Sequence, residues 1–141
     1  MLRAAPPIRR VLETCLYVSD MARARAFYEG LIGLQAGVAD GRITSYRIGD
    51  TMLLLFLRGA TVKPVELPGG TIPAHDGHGP AHFAFAIGAE DFERWRERLA
   101  ESGVEIVSTV RWPGSMSISL YFHDPDGHVV EMATPGLWGI G

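Results

Sequence analysis

The chain has little cysteine, no long apolar run and no excess of positive charge. Cys15 is its single cysteine, which excludes an intramolecular disulfide framework and favours a reducing compartment. No segment reaches the length of a membrane span, and the first ten residues have no signal-peptide core, so we expect a cytoplasmic protein without a membrane partner. The net charge of -3 gives no electrostatic reason to expect nucleic acid as a partner.

Apolar and turn-forming residues are abundant instead. Hydrophobic residues make up 47% of the chain, and 17 glycines and 9 prolines interrupt them. With 141 residues, the chain can form one hydrophobic core but not two independent ones. We therefore expect a single domain over residues 1–141, with a small molecule as its partner.

The order of predicted elements occurs twice. A strand-like run at 11–18 precedes an amphipathic helix that begins after Ser19-Asp20 and ends at Gly33. The run 82–87 precedes a second helix, which ends at Gly103. Three β-like runs follow each helix, over 34–38, 42–48 and 51–57 in the first half and over 104–110, 117–122 and 128–133 in the second.

This repetition predicts an α+β fold of two βαβββ modules. Module one covers about residues 11–57 and module two covers about residues 81–134. Between them, residues from about 58 to 80 are rich in glycine and proline and read as a linker and loop over the site. Strand alternation puts the bulky face against the helices, with Leu12, Leu16 and Val18 as the inward residues of the first strand. The other face should curve around an open cavity.

Three polar residues share that cavity face. Glu13 and His82 stand at equivalent places in the first strand of each module, and Glu131 lies in the last strand. A carboxylate on a partly apolar face is costly to desolvate unless a cation or hydrogen bonds offset its charge. Taken singly, each residue is more simply a solvated glutamate or a hydrogen-bonded histidine, but their shared placement favours a divalent metal site with open coordination positions. Mn, Fe, Co, Ni, Mg and Zn are the candidate ions.

The same alternation predicts the rest of the site. Glu131 and Glu13 are the candidate proton-transfer groups, and Ser117 and Ser119 are candidate polar contacts. The predicted substrate-cavity residues are Cys15, Tyr17, Met52, Leu54, Phe56 and Tyr121.

Other residues with functional chemistry have simpler explanations. His75 and His78 are interpreted as surface residues of the linker, with a lid or outer-shell role as the alternative, and His123 and His128 bracket a tight turn where we expect exposure. Trp112 and Trp138 could stack on a flat ligand or cap the core.

Several motifs resemble the vicinal oxygen chelate superfamily, which holds glyoxalases, bleomycin and fosfomycin resistance proteins and extradiol dioxygenases. They are Leu12-Glu13-Thr14-Cys15-Leu16-Tyr17-Val18-Ser19-Asp20, Ala26-Phe27-Tyr28, Leu31-Ile32-Gly33-Leu34, His82-Phe83-Ala84-Phe85 and Tyr121-Phe122-His123-Asp124-Pro125-Asp126-Gly127-His128-Val129-Val130-Glu131.

The resemblance implies a glyoxalase-like fold, in which two modules form a cup-shaped mixed sheet with helices on its outer face, usually in a homodimer. It also implies a metal held by the first and last strands of the modules. His82 and Glu131 match the family's ligand places, whereas Glu13 stands where histidine is common. A fourth place, used by four-ligand glyoxalases, falls near Leu54, which cannot bind metal.

Three functions therefore remain open. The first is a metal-dependent enzyme, of lyase, isomerase, hydrolase or dioxygenase type, that acts on a small oxygenated molecule chelating the metal. The second is a protein that binds a drug or metabolite without turnover, like bleomycin resistance proteins. The third is thiol transfer to an antibiotic such as fosfomycin, which would need a cationic cluster, and Arg47 and Arg111 are the only candidates near the cavity-facing runs.

Overall fold

Two four-stranded mixed sheets, one from each module, form the framework of the computed structural model, which describes residues 1–141. The first sheet has the order β1-β4-β3-β2 and the second the order β7-β10-β9-β8. In each sheet the first two strands in this order run parallel, and the other neighbours are antiparallel. The strands are β1 (Glu13–Val18), β2 (Ala36–Ala39), β3 (Ile43–Ile48), β4 (Thr51–Leu57), β5 (Val65–Leu67), β6 (Gly70–Ile72), β7 (His82–Ala86), β8 (Ser108–Arg111), β9 (Ile118–His123) and β10 (Val129–Ala133).

The matching strand order confirms the α+β architecture of paired βαβββ modules. The cup, however, is divided into two separate sheets rather than one continuous sheet. The linker contributes β5 and β6, which form a two-stranded hairpin of their own. Each of these strands has three residues, too few to display an alternating pattern.

Helices cover one face of the sheets. Helix α1 (Met21–Arg25) begins at Asp20, whose side chain accepts a hydrogen bond from the Arg23 backbone at 3.0 Å, and continues as a π-helix over Ala26–Leu31. Helix α2 (Phe92–Glu101) follows a 3₁₀ turn over Ala89–Asp91. Gly33 and Gly103 lie just past the two helices with φ of 86° and 73°, a backbone conformation that favours glycine. None of the helices is both long enough and apolar enough to cross a bilayer.

One hydrophobic core joins the two modules beneath the helices. Its fully buried members include Leu16, Val18 and Tyr28 from module one and Leu99 and Phe122 from module two. The cavity faces of the sheets lie opposite this core. Both helical layers therefore pack against a single core.

The first strand is shorter than its sequence indicates. Strand β1 begins at Glu13 rather than Val11, and Leu12 remains 58% exposed, so its predicted place in the core is wrong. Strand β8 likewise begins at Ser108, although Val104 and Ile106 ahead of it pack on the core outside the strand. Apolar alternation reports burial, whereas a strand also needs a hydrogen-bonded neighbour.

The turn between β9 and β10 holds the modules together. The buried Asp124 carboxylate accepts from the Tyr28 hydroxyl at 2.8 Å, across the module boundary. His128 accepts from the Ala81 backbone N–H through Nδ1 and donates through Nε2 to the carbonyl of Tyr17, both at 2.8 Å. His128 is therefore 1% exposed, which corrects the expected exposure, whereas His123 is exposed as predicted.

We expect Tyr28→Phe to lower the free energy of unfolding by about 1–3 kcal/mol, because it leaves a buried Asp124 carboxylate oxygen without a partner. Urea denaturation measures this loss. Tyr46→Phe is the matched control, because the Tyr46 hydroxyl meets Glu29, which Arg25 also binds. An equal or greater loss in the control would contradict a special role for the contact between modules.

Candidate metal centre

His82 and Glu131 approach each other on the cavity face of the second sheet. Strands β7 and β10 are parallel neighbours, and His82 pairs in register with Val129, two residues before Glu131. This register brings His82 Nε2 to 3.3 Å from Glu131 Oε1. The imidazole is half-exposed, whereas Glu131 is buried.

The tautomer of His82 makes this pair suitable for a cation. His82 Nδ1 lies 2.9 Å from the carbonyl oxygen of Val129, which can only accept, so Nδ1 carries a proton. In neutral His82, Nε2 then presents a lone pair toward a carboxylate oxygen. The lone pairs of two such acceptor atoms repel each other unless a proton or a cation lies between them. The donor set of one imidazole and one carboxylate therefore fits a divalent metal ion.

A chain of hydrogen bonds orients the Glu131 carboxylate. Its second oxygen, Oε2, accepts from Ser119 Oγ at 2.5 Å, and Ser119 in turn accepts from Trp112 Nε1 at 2.8 Å. Tyr121 lies across from Glu131 in the ladder of β9 and β10. Partial burial, together with the nearby Glu131 carboxylate, raises the pKa of Tyr121, so its hydroxyl remains a hydrogen-bond donor at neutral pH.

The module-two cavity opens over this pair. It has a volume of about 830 Å³, and its lining is mostly apolar. Besides His82 and Glu131, the C-terminal residues Leu137, Trp138 and Ile140 form part of the wall. Such a cavity suits a small molecule with an apolar part and a few oxygen atoms.

Glu13 lies in a different cavity. The module-one cavity, of about 600 Å³, is lined by Glu13, Cys15, Tyr17, Leu54 and Phe56. Within one chain, no cluster of three or more His, Cys, Asp or Glu side chains could hold a metal ion, so Glu13 does not join His82 and Glu131 there.

The predicted cavity residues are distributed in the same way. Four of them, Cys15, Tyr17, Leu54 and Phe56, line the module-one cavity, and Tyr121 lines the module-two cavity. Met52 lines neither, because it faces a smaller pocket beside Phe83 and Phe85 where the modules meet. Ser117 does not line either cavity, because its hydroxyl donates to the carbonyl of Thr134.

The module-one cavity also contains residues that sequence reasoning did not place there. Arg42, Lys63 and His75 line it. By contrast, Arg47 lies beside exposed Asp50 and does not line the cavity, and Arg111 lines neither. The expectation that Arg47 and Arg111 are the nearest cationic groups is therefore wrong. Lys63 and His75 lie on the linker, whose path no periodic pattern reveals, and Arg42 directly precedes β3.

Comparison with known proteins now decides the family. Residues 10–132 match the family described as the Glyoxalase/Bleomycin resistance protein/Dioxygenase superfamily. The chain belongs to this superfamily. Membership confirms the expected resemblance and the glyoxalase-like fold, and it places the chain among metal-dependent enzymes that act on small molecules.

Relatives in the superfamily carry several names. Metallothiol transferase FosB of Staphylococcus epidermidis is 33% identical over 131 residues, which cover 92% of this chain and 84% of the relative. Glutathione transferase FosA of Serratia marcescens is 31% identical over 124 residues, covering 86% and 78% of the two chains. The crystal structure of a lactoylglutathione lyase from Agrobacterium tumefaciens matches with a TM-score of 0.85 and 31% identity, covering 96% of this chain and all of that one.

We expect Ser119→Ala to weaken divalent-metal binding about 10- to 100-fold, because the Glu131 carboxylate loses the hydroxyl that orients it. Titration with Mn²⁺, followed by electron paramagnetic resonance of the free ion, measures this affinity. Ser115→Ala is the matched control, since Ser115 accepts from the backbone of Ser117 and does not contact Glu131. Unchanged Mn²⁺ affinity in Ser119→Ala would contradict the orienting role.

Proposed function

We propose that the protein is a divalent-metal-dependent enzyme that acts on a small molecule presenting two adjacent oxygens. The observation that carries this proposal is the acceptor pair of His82 Nε2 and Glu131 Oε1, 3.3 Å apart at the base of an apolar cavity. His82 and Glu131 would hold the ion, which would supply a Lewis acid for a substrate oxygen. Tyr121 lines the same cavity next to Glu131, and its hydroxyl would donate a hydrogen bond to a second oxygen or to a developing oxyanion.

We further propose that Glu13 of a second copy completes the ligand set in a homodimer. Glu13 is exposed and His82 is half-exposed, each on the first strand of an equivalent module. A two-fold axis can place the module-one cavity of the first chain over the module-two cavity of the second. The same axis then places the module-one cavity of the second chain over the module-two cavity of the first. Two composite sites would result, each with two carboxylates and one imidazole. We also propose a cytoplasmic location, because Cys15 is a free, exposed thiol that a reducing compartment would keep reduced.

Thiol transfer is the reaction that these observations favour within that class. Arg42 and Lys63 make the module-one cavity attractive to an anionic substrate, and both a phosphonate and a thiol that bears carboxylates carry such a charge. Leu54 is apolar and faces the same cavity, where a four-ligand lyase would need a donor. The names of the relatives FosB and FosA support transfer of a thiol, whereas the lyase name of the Agrobacterium protein supports the alternative.

The metal site is tested by mixing subunits. We expect Glu13→Gln and His82→Ala homodimers each to lose tight Mn²⁺ binding. When an equal mixture of the two variants is unfolded and refolded, half of the dimers contain one chain of each variant. In each mixed dimer, one of the two sites is intact, because it combines His82 of the Glu13→Gln chain with Glu13 of the His82→Ala chain. The refolded mixture should therefore regain about a quarter of the wild-type Mn²⁺ sites.

Two other results would contradict parts of the proposal. Tight Mn²⁺ binding by the Glu13→Gln protein alone would show that Glu13 is not a ligand. Wild-type protein that binds none of the divalent ions tested would overturn the proposed function. Glu66→Gln is the matched control, because Glu66 is an exposed strand glutamate of the linker hairpin that lines neither cavity.

The reaction is tested directly with fosfomycin and a thiol. Incubation with Mn²⁺ and glutathione or cysteine should give a product whose mass is the sum of the two reactants. The thiol sulfur forms a C–S bond to the epoxide ring of fosfomycin as one ring C–O bond breaks, and the oxygen stays on the product and takes up the thiol proton. Mass spectrometry detects this adduct, and Glu131→Gln should abolish its formation. Water addition or absence of turnover, with metal still bound, would exclude thiol transfer to this electrophile and leave another small oxygenated substrate.

A further inference from the structure

The linker between the modules forms the roof of the module-one cavity. Thr61 and His75 tie its two ends together, because the His75 backbone N–H donates to the Thr61 carbonyl at 2.9 Å and the Thr61 hydroxyl donates back to the His75 carbonyl at 2.5 Å. Thr61 is buried, so this double contact is protected from water. The linker is therefore anchored where His75 enters the cavity wall.

Two aromatic rings, those of Tyr17 and Phe56, fix the orientation of the His75 imidazole. Its ring meets Phe56 edge-on, with centroids 4.7 Å apart and an interplanar angle of 76°. Tyr17 stacks on Phe56 at 5.9 Å, and its hydroxyl lies 2.6 Å from His75 Nδ1. The backbone at Gly77 approaches the Tyr17 ring so closely that a Cβ there would collide with it. This packing leaves the imidazole little freedom to turn.

The hydrogen bond with Tyr17 leaves the other ring nitrogen available. Burial, followed by the nearby Cys15 and Asp76, raises the pKa of Tyr17, so its hydroxyl keeps its proton and is available to donate to Nδ1. When the hydroxyl donates to Nδ1, neutral His75 carries its proton on Nε2. No protein acceptor binds this Nε2–H, although His75 lines the cavity.

We propose that His75, positioned by Tyr17, determines specificity by donating Nε2–H to a carboxylate at the far end of the ligand. Glu13 and Tyr17 are four residues apart on the same face of β1, which corresponds to about 13 Å along a strand. His75 therefore lies away from the metal ligands and contacts a different part of the ligand. Arg42 and Lys63 line the same cavity and favour an anionic group there.

This inference deepens the proposed function, because it assigns a ligand class to the site. The ligand would be elongated, with an oxygen pair for the metal at one end, or a thiol that reacts there, and a carboxylate at the other. The apolar side chains of Leu54 and Phe56 between them would contact its middle. A small molecule without the remote carboxylate would bind at the metal alone.

The test uses chelator-treated protein, so that it does not depend on the metal site. The probe is S-methylglutathione, which has two carboxylates and no free thiol to react with Cys15, and its diethyl ester serves as the matched ligand without carboxylates. We expect saturable binding of the acid by calorimetry, with a shift of the His75 ring resonance, and at least about tenfold weaker binding of the ester.

Variants separate the role of His75 from general damage to the fold. His75→Ala should bind the acid about tenfold more weakly and should lose most of the discrimination between acid and ester, and only the part that Arg42 and Lys63 supply should remain. Tyr17→Phe and Gly77→Ala should each reduce that discrimination, because one frees the imidazole and the other displaces the loop. His78→Ala is the matched control, because His78 lies on the same loop but is exposed and pairs with Asp76. Circular dichroism checks that each variant is folded.

Two results would overturn the proposal. One is equal binding of acid and ester by the wild-type protein, including no binding of either. The other is unchanged discrimination in a folded His75→Ala protein. Neither result bears on Mn²⁺ binding at His82 and Glu131, so failure of this inference is distinguishable from failure of the proposed function.

Discussion

The hydrogen bonds of Asp124 and His128 hold the two modules side by side, and the arrangement of both cavities depends on them. Asp124 accepts from Tyr28, and His128 bridges Ala81 and the carbonyl of Tyr17. The side chains of Asp124 and His128 are buried, which shields these contacts from competition by water. They place both sheets over one helical core and leave the two concave faces as separate cavities.

This arrangement explains why the three candidate ligands are divided between two cavities. His82 and Glu131 belong to neighbouring strands of one sheet, so their approach needs only the register of β7 and β10. Glu13 belongs to the other sheet and lines the other cavity. In the proposed dimer, Glu13 of one copy and the pair of His82 and Glu131 of the other would form one site, and two-fold symmetry would form it twice.

The linker has more structure and more chemistry than its composition indicates. Glycine and proline predict a loop, yet the segment forms a hairpin and delivers His75 and Lys63 to the module-one cavity. Tyr17 and Phe56 orient His75 from the sheet beneath. A connection between repeats has thus become part of a cavity wall, as is common for loops that a rigid scaffold positions.

Local patterns predicted much of the fold, because periodicity and turn chemistry act over a few residues. The repeated order of elements, strand β4 over Thr51–Leu57, the helix ends at Gly33 and Gly103 and the shared face of Glu13, Cys15 and Tyr17 all follow from the sequence. The π-helical turn was not predicted, since apolar spacing does not separate five-residue from four-residue hydrogen bonding.

The sequence by itself determined the family, the two modules and the candidate ligands. Only the tertiary structure decided that Glu13 stands apart from His82 and Glu131, that His128 is buried, and that Arg42, Lys63 and His75 share a cavity. The reason is physical: side-chain alternation is a property of a single strand, whereas the placement of one module against another depends on hydrogen bonds between residues about a hundred positions apart.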